Sequence, residues 1–302
     1  MSSTVTQAGA RRRGILCVLG AAAAFGMAAA CVKALGGSIP VTQVMLCRNL
    51  FAIPALLPLL LRAPEGLGAL RTRHPRAHAE RLFWGLIGMA GAFYGYAHLP
   101  LATATALGFT MPLFLTLIAV LFMGERLRWR RGLAVALGFC GVLVVVRPGG
   151  GPGGGAGLDL LAAGGVLLGA VGWAMAMVTI RRMGDAGESG VAIVLWFAFS
   201  ASVVAAALAL PVWLAPSAVQ WALLAGCGVV SALGQVLMTA AYRSGEATLL
   251  APFEYSGILW TALLGAVVWS EVPDAAALAG IALLVGSGIY IWWREVQLGI
   301  RR

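Results

Sequence analysis

Apolar residues run along this chain in long blocks, separated by short polar segments, and block length carries the first inference. Ten stretches predict helices at 14–35, 41–61, 81–98, 100–122, 129–146, 160–180, 190–210, 217–241, 248–269 and 274–293. Each is about 20 residues long, the length an α-helix needs to cross a bilayer. A Gly-rich joint, Gly149 to Gly157, divides the stretches five and five. Five is odd, so a second copy of the unit starts on the opposite membrane face. The expected fold is an all-α membrane protein of ten transmembrane helices, built as two inverted five-helix repeats. The expected organisation is a tail (1–13), a first repeat (14–148), a linker (149–157), a second repeat (158–293) and a tail (294–302). Inverted repeats of this kind are the usual architecture of secondary transporters, with the substrate site between the halves near the midplane.

Composition narrows the class. Of 302 residues, 61% are hydrophobic and 11% charged, and mean hydropathy is +0.92. A soluble domain of this size could not hide so much apolar surface. The net charge of +10 would suit nucleic acid, but its distribution reads as topology. With the N-terminus inside, 18 of the 21 Lys and Arg fall in inner loops and tails, Arg81 among them. Lys33 and Arg147 fall outside, and Arg48 lies within a span. This positive-inside pattern places both termini in the cytoplasm of a bacterial inner-membrane protein and predicts no nucleic-acid partner. The basic cluster at Arg11–Arg13 precedes a run too long for a signal peptide and starts an uncleaved first span.

The two halves correspond in register. Gly124-Glu125 closes span 4 as Ser270-Glu271 closes span 9, and Ala21, Ala24, Phe25 and Lys33 correspond to Gly169, Gly172, Trp173 and Arg181. Gly91 and Gly95 are four apart, as are Gly165 and Gly169, a spacing that lets helix backbones approach closely in lipid. The five cysteines lie in spans and form no CxxC, so neither a disulfide framework nor a zinc site is expected.

Two charges fall inside spans, Arg48 in span 2 and Glu254 just after Pro252 in span 9. An ionisable group at such depth costs about 3 kcal/mol on insertion scales and faces a polar interior. Each is read either as a structural tie or as a functional group. In the repeat, Arg48 aligns with Trp196 and Glu254 with Gly108, so the copies differ where the charges are. Glu125 and Glu271 sit at membrane surfaces and read as turn or helix-end residues. Trp173, Trp196 and Trp260 lie well inside their spans, unlike the tryptophans near span ends.

The run Pro112 … Gly124-Glu125-Arg126, with Arg48 in span 2 and Ala251-Pro252-Phe253-Glu254-Tyr255 … Trp260 … Ser270-Glu271-Val272-Pro273 in the second half, resembles the EamA branch of the drug/metabolite transporter superfamily. The resemblance covers roughly residues 14–293. Ser270 stands where the first repeat has Gly124, and Ile258 where Pro112 would be matched. The resemblance implies a central cavity lined mainly by helices 3, 4, 8 and 9, with helices 1, 2, 6 and 7 as gates. Tyr94, Thr110, Gln235, Tyr255 and Trp260 then become candidate substrate contacts. Glu254, Arg48, Trp173 and Trp196 become candidates for coupling or gating.

No catalytic set is visible: there is no GxxxxGK loop, no HExxH and no Ser/His/Asp meeting place, so no enzyme activity, cofactor or metal is expected. The expected function is a secondary active carrier of a small metabolite such as an amino acid or related compound, more readily an exporter. The alternatives are an uptake carrier or uniporter of a vitamin- or nucleoside-like solute and, in other classes, a channel or a non-transporting sensor. Expected partners are the solute, protons and membrane lipids.

Overall fold

The computed structural model describes residues 2–61, 66–122, 129–147, 158–244 and 247–297, and among them every regular element is helical. Lipid offers no hydrogen-bond partner to the backbone, and an α-helix satisfies its own N–H and C=O groups. The elements are α1 (Ser2–Leu35), α2 (Val41–Leu61), α3 (Pro75–His98), α4 (Leu101–Gly108), α5 (Met111–Phe122), α6 (Trp129–Val146), α7 (Leu160–Asp185), α8 (Gly190–Ala209), α9 (Ala218–Ser244), α10 (Ala247–Glu254), α11 (Ser256–Trp269) and α12 (Ala275–Gln297). Among the described residues, seven helical segments are long and apolar enough to cross a membrane, and Gly132–Val146 is a shorter apolar one. The linker 149–157 and the Gly124-Glu125-Arg126 signature lie outside the described residues.

Local chemistry explains where helices stop. Gly36 and Gly37 take φ of +56° and +73°, a conformation glycine adopts without steric cost, and they turn α1 toward α2. Pro75 opens α3, where a missing N–H costs nothing. Asp159 caps α7, its carboxylate accepting from the amides of Leu161 and Ala162 at 2.9 and 3.1 Å.

The packing is reciprocal between the halves. α1 lies along α9 and α3 along α7; α2 pairs with α8, and α6 with α12; α1 touches α11, and α5 touches α7. Exchanging α1–α6 for α7–α12 in order maps each of these pairs onto another pair or onto itself. Glycine sets the closest approaches. A side chain at Gly91 would overlap the Gly165 carbonyl and stand 2.9 Å from the Gly169 Cα, and one at Gly141 would stand 2.8 Å from the Gly280 carbonyl. The glycine pairs expected to face a neighbour therefore face each other across α3 and α7. Large apolar side chains such as Leu208, Leu259 and Val267 remain exposed on the outer surface, the dress of a lipid-facing protein.

Candidate functional site

Two helices of the bundle are interrupted at matched places. α4 ends at Gly108 and α5 begins at Met111. Pro112 has no N–H to donate to the Gly108 carbonyl, which favours an interruption here, although a proline can also be absorbed inside a helix as Pro54 and Pro58 are in α2. Thr110, fully buried, closes the gap by donating its hydroxyl proton to the Leu107 carbonyl at 2.6 Å. In the second half α10, which contains Pro252, ends at Glu254, and α11 begins at Ser256. The breaks meet. Phe109 stacks on Tyr255 with ring centroids 4.8 Å apart and planes 29° from parallel, and these two residues correspond when Gly108 is aligned with Glu254. The Tyr255 hydroxyl lies against Gly288, where any side chain would overlap it. Glu254 is half-buried and acts electrostatically on Tyr255. Thr110, Tyr255 and Glu254 are thus brought to one region.

The other expected residues are spread along the bundle. Tyr94 stacks on His98 at 4.1 Å near the end of α3, and Gln235 is half-buried in α9. Trp260 is 39% exposed, with its Cβ against Gly26 of α1. Trp196 donates its indole N–H to the Leu70 carbonyl at 2.9 Å and lies 6.1 Å from the His78 ring, a place at the end of the bundle. Trp173 packs across Gly88 of α3, its Cδ1 3.0 Å from where a Cβ would stand.

The structure also buries a charge that the sequence places in an inner loop. Arg81 was counted with the loop cations, yet only 7% of it is exposed. Its guanidinium carbon lies 4.0 Å from the Phe197 ring centroid and 5.7 Å from that of Trp173. Among the described residues its Nε and Nη1 have no hydrogen-bond partner. Periodicity could not show this, because the partners come from α7 and α8, far along the chain. Arg48, already singled out by its depth in span 2, donates to the Asn49 side chain at 3.0 Å, and the Asn49 amide reaches the Met89 sulfur of α3 at 3.6 Å.

One end of the bundle is tied shut. Lys33 pairs with Glu271 at 2.7 Å and donates to the Leu99 carbonyl at 2.8 Å, while Glu271 accepts from the Leu101 amide at 3.0 Å. Ser270, at φ +56°, turns the chain so that Glu271 points back to this junction. Glu271 is therefore an ion-paired junction residue rather than only a turn residue. Glu125, its expected counterpart, lies outside the described residues, as does the side chain of Arg181. At the same end, Gln43 of α2 exchanges two hydrogen bonds with the Leu214 backbone, at 2.8 and 3.2 Å, and Arg147 pairs with Asp274.

The opposite end holds a cavity of about 550 Å³ lined by Arg73, His74, Arg76, Glu80, Arg182 and Met183, among others. Beside it His78 meets Glu188 at 3.2 Å. Burial opposes ionisation of Glu188, but hydrogen bonds from His78 and Thr72 outweigh it and hold the carboxyl below its ordinary range. Among the described residues no group of three or more His, Cys, Asp or Glu could hold a metal ion.

Comparison with known proteins adds the family. A family model described as the EamA-like transporter family matches residues 12–147. A pseudopaline exporter of Pseudomonas aeruginosa (strain UCBPP-PA14) is 34% identical over 275 residues, 91% of this chain and 94% of its own. An S-adenosylmethionine uptake transporter of Rickettsia felis is 28% identical over 273 residues, 89% of each chain. A solved crystal structure, 19% identical, covers 98% of this chain and 100% of its own with a TM-score of 0.64, a likeness of fold.

Proposed function

The chain belongs to the EamA-like transporter family of multi-pass membrane proteins, and from that premise we propose that it is a secondary active carrier of a small metabolite, an amino acid or related compound, working by alternating access. In this reading the broken elements α4–α5 and α10–α11 each make one crossing, and the chain crosses ten times as two inverted five-helix repeats joined by 149–157. The observation that carries the reading is the meeting of the two helix breaks at Phe109 and Tyr255. Discontinuous helices facing each other from two inverted halves are where such carriers bind solute, because broken backbone is tolerated at depth only beside a cavity or buried in protein. The reciprocal packing of the halves supports the same arrangement.

Tyr255, Thr110, Tyr94, Gln235 and Trp260 are the proposed solute contacts, and Glu254 the proposed proton site. Arg48, Trp173 and Trp196 complete the coupling and gating set. The Lys33–Glu271 junction closes the end that positive-inside counting places outside, which puts both termini in the cytoplasm. Export is the favoured direction, since the relative at 34% identity is named an exporter and the uptake relative is 28% identical.

The test is flux through purified protein in liposomes across a panel of amino acids and related metabolites. Saturable flux with counterflow is expected. Flux linear in concentration would indicate a channel, and binding without flux a sensor.

A further inference from the structure

Arg81 and Arg48 present an unusual combination. Each is a cation inside a helical bundle, and neither has a carboxylate partner among the described residues. Arg81 is more than nine-tenths buried, and two of its donor nitrogens are unpaired. Aromatic faces attract a guanidinium but cannot accept its N–H groups in the guanidinium plane, so Phe197 and Trp173 leave its hydrogen-bonding demand unmet. Arg48 adds a second positive charge near enough to repel the first. Among the described residues it bonds a neutral amide oxygen, that of Asn49.

The protein makes room for this arrangement rather than avoiding it. Gly85 lies one turn beyond Arg81 on α3, and any side chain there would overlap both Arg81 Nη1 and the Phe197 ring. Gly88, the next small residue on that face, receives Trp173. The guanidinium is thus seated near two rings over a glycine floor, with Nε and Nη1 unspent among the described residues. Arg48 is half-buried on α2: it donates to Asn49, whose amide donates to the Met45 carbonyl and to the Met89 sulfur of α3, two turns along from Arg81. A buried, unpaired cation is costly, and a second like charge beside it raises that cost. An anion arriving in the same space relieves both.

We propose that Arg81 and Arg48 form a carboxylate-binding site within the transport pathway, and that the transported solute carries at least one carboxylate. The proposal rests on the carrier reading and narrows its substrate class. A planar guanidinium matches a planar carboxylate in two parallel hydrogen bonds. The 550 Å³ cavity at the same end of α3 as Arg81 has the same sign of charge: Arg73, Arg76 and Arg182 line it with the single carboxylate of Glu80, which pairs with Arg182 at 3.4 Å. A basic surface of this kind concentrates anions beside α3.

The experiment is a binding titration of the purified full chain in neutral detergent at constant ionic strength. The probe is glutarate, with its uncharged diamide glutaramide as the matched control. Tryptophan fluorescence, to which Trp173 beside Arg81 contributes, and melting temperature are the readouts. Glutarate is expected to saturate and to raise the melting temperature, and glutaramide to do neither. Arg81→Gln and Arg48→Gln should each weaken glutarate at least tenfold. Arg81→Lys keeps the charge, loses the planar fork and should weaken it too. Arg294→Gln, at the far end of α12, should change nothing. The site is overturned if folded wild-type protein shows no saturable response to glutarate. It is equally overturned if Arg81→Lys or Arg48→Gln, with an intact melting curve, binds glutarate as wild type does, or if inorganic phosphate binds more tightly than glutarate. Because the titration needs no flux, its failure leaves the carrier reading standing. Intact glutarate binding with no flux in liposomes sinks the carrier reading alone.

Discussion

Replacing Glu271 by glutamine keeps the shape of the junction at the tied end and removes its charge. In the native protein the carboxylate faces Lys33 at 2.7 Å, with side-chain exposures of 26% and 10%. At that separation opposite unit charges attract by about 6 kcal/mol for an effective dielectric near 20, and by about 1.5 kcal/mol in water. Desolvation of both groups offsets part of this. The amide oxygen of glutamine can still accept from the Leu101 amide, so the backbone tie survives. A net loss of about 2 kcal/mol follows, equivalent to about a 30-fold shift toward states open at this end. Cys31, half-buried on α1 beyond Lys33, serves as the reporter once the other four cysteines are replaced. Its labelling by a membrane-impermeant thiosulfonate should accelerate by about tenfold or more, given that shift. The charge-swapped pair Lys33→Glu with Glu271→Lys should recover only part of the slow rate, because it restores the ion pair but not the bonds to the Leu99 carbonyl and the Leu101 amide. Unchanged labelling in Glu271→Gln would refute the argument that this ion pair holds the end closed.

Three further expectations can be checked directly. Glu254→Gln, which cannot titrate, should abolish pH-driven net transport in liposomes while leaving solute exchange at equal pH intact; full pH-driven transport in the variant would make Glu254 a structural tie. Gly91→Val drives a side chain into the Gly165 carbonyl and should destabilise the α3–α7 contact by about 1–3 kcal/mol, the usual range for overpacking, read as a lower melting temperature in detergent; Gly164→Val, where a side chain would meet nothing within 4 Å, should be tolerated. Glu188 titrates below its ordinary range in the folded chain, so its contribution is complete above the unfolded carboxylate value, near about 4.3, and is lost as pH falls through the lower folded value. The melting temperature should therefore drop on acidification through that window, and Glu188→Gln should flatten the drop.

The chain by itself determined those features that depend on short-range sequence. Lipid forces each crossing to satisfy its own backbone, so block length alone reveals the helices and their membrane class. Glycine spacing exposed the faces of α3 and α7 because close approach requires a missing side chain at fixed intervals, and Gly91 and Gly165 meet as that spacing implies. Pro112 and Pro252 were visible, but not that their helices part there, since a proline can also be absorbed as a kink. Only the tertiary structure brought Phe109 onto Tyr255 and Lys33 onto Glu271. Such pairings join residues remote in sequence, and no local pattern encodes which helix lies beside which. Arg81 shows the limit most clearly. In the sequence it is one more arginine of a basic loop; it becomes a buried cation only because Phe197 and Trp173, carried by two later helices, close over it.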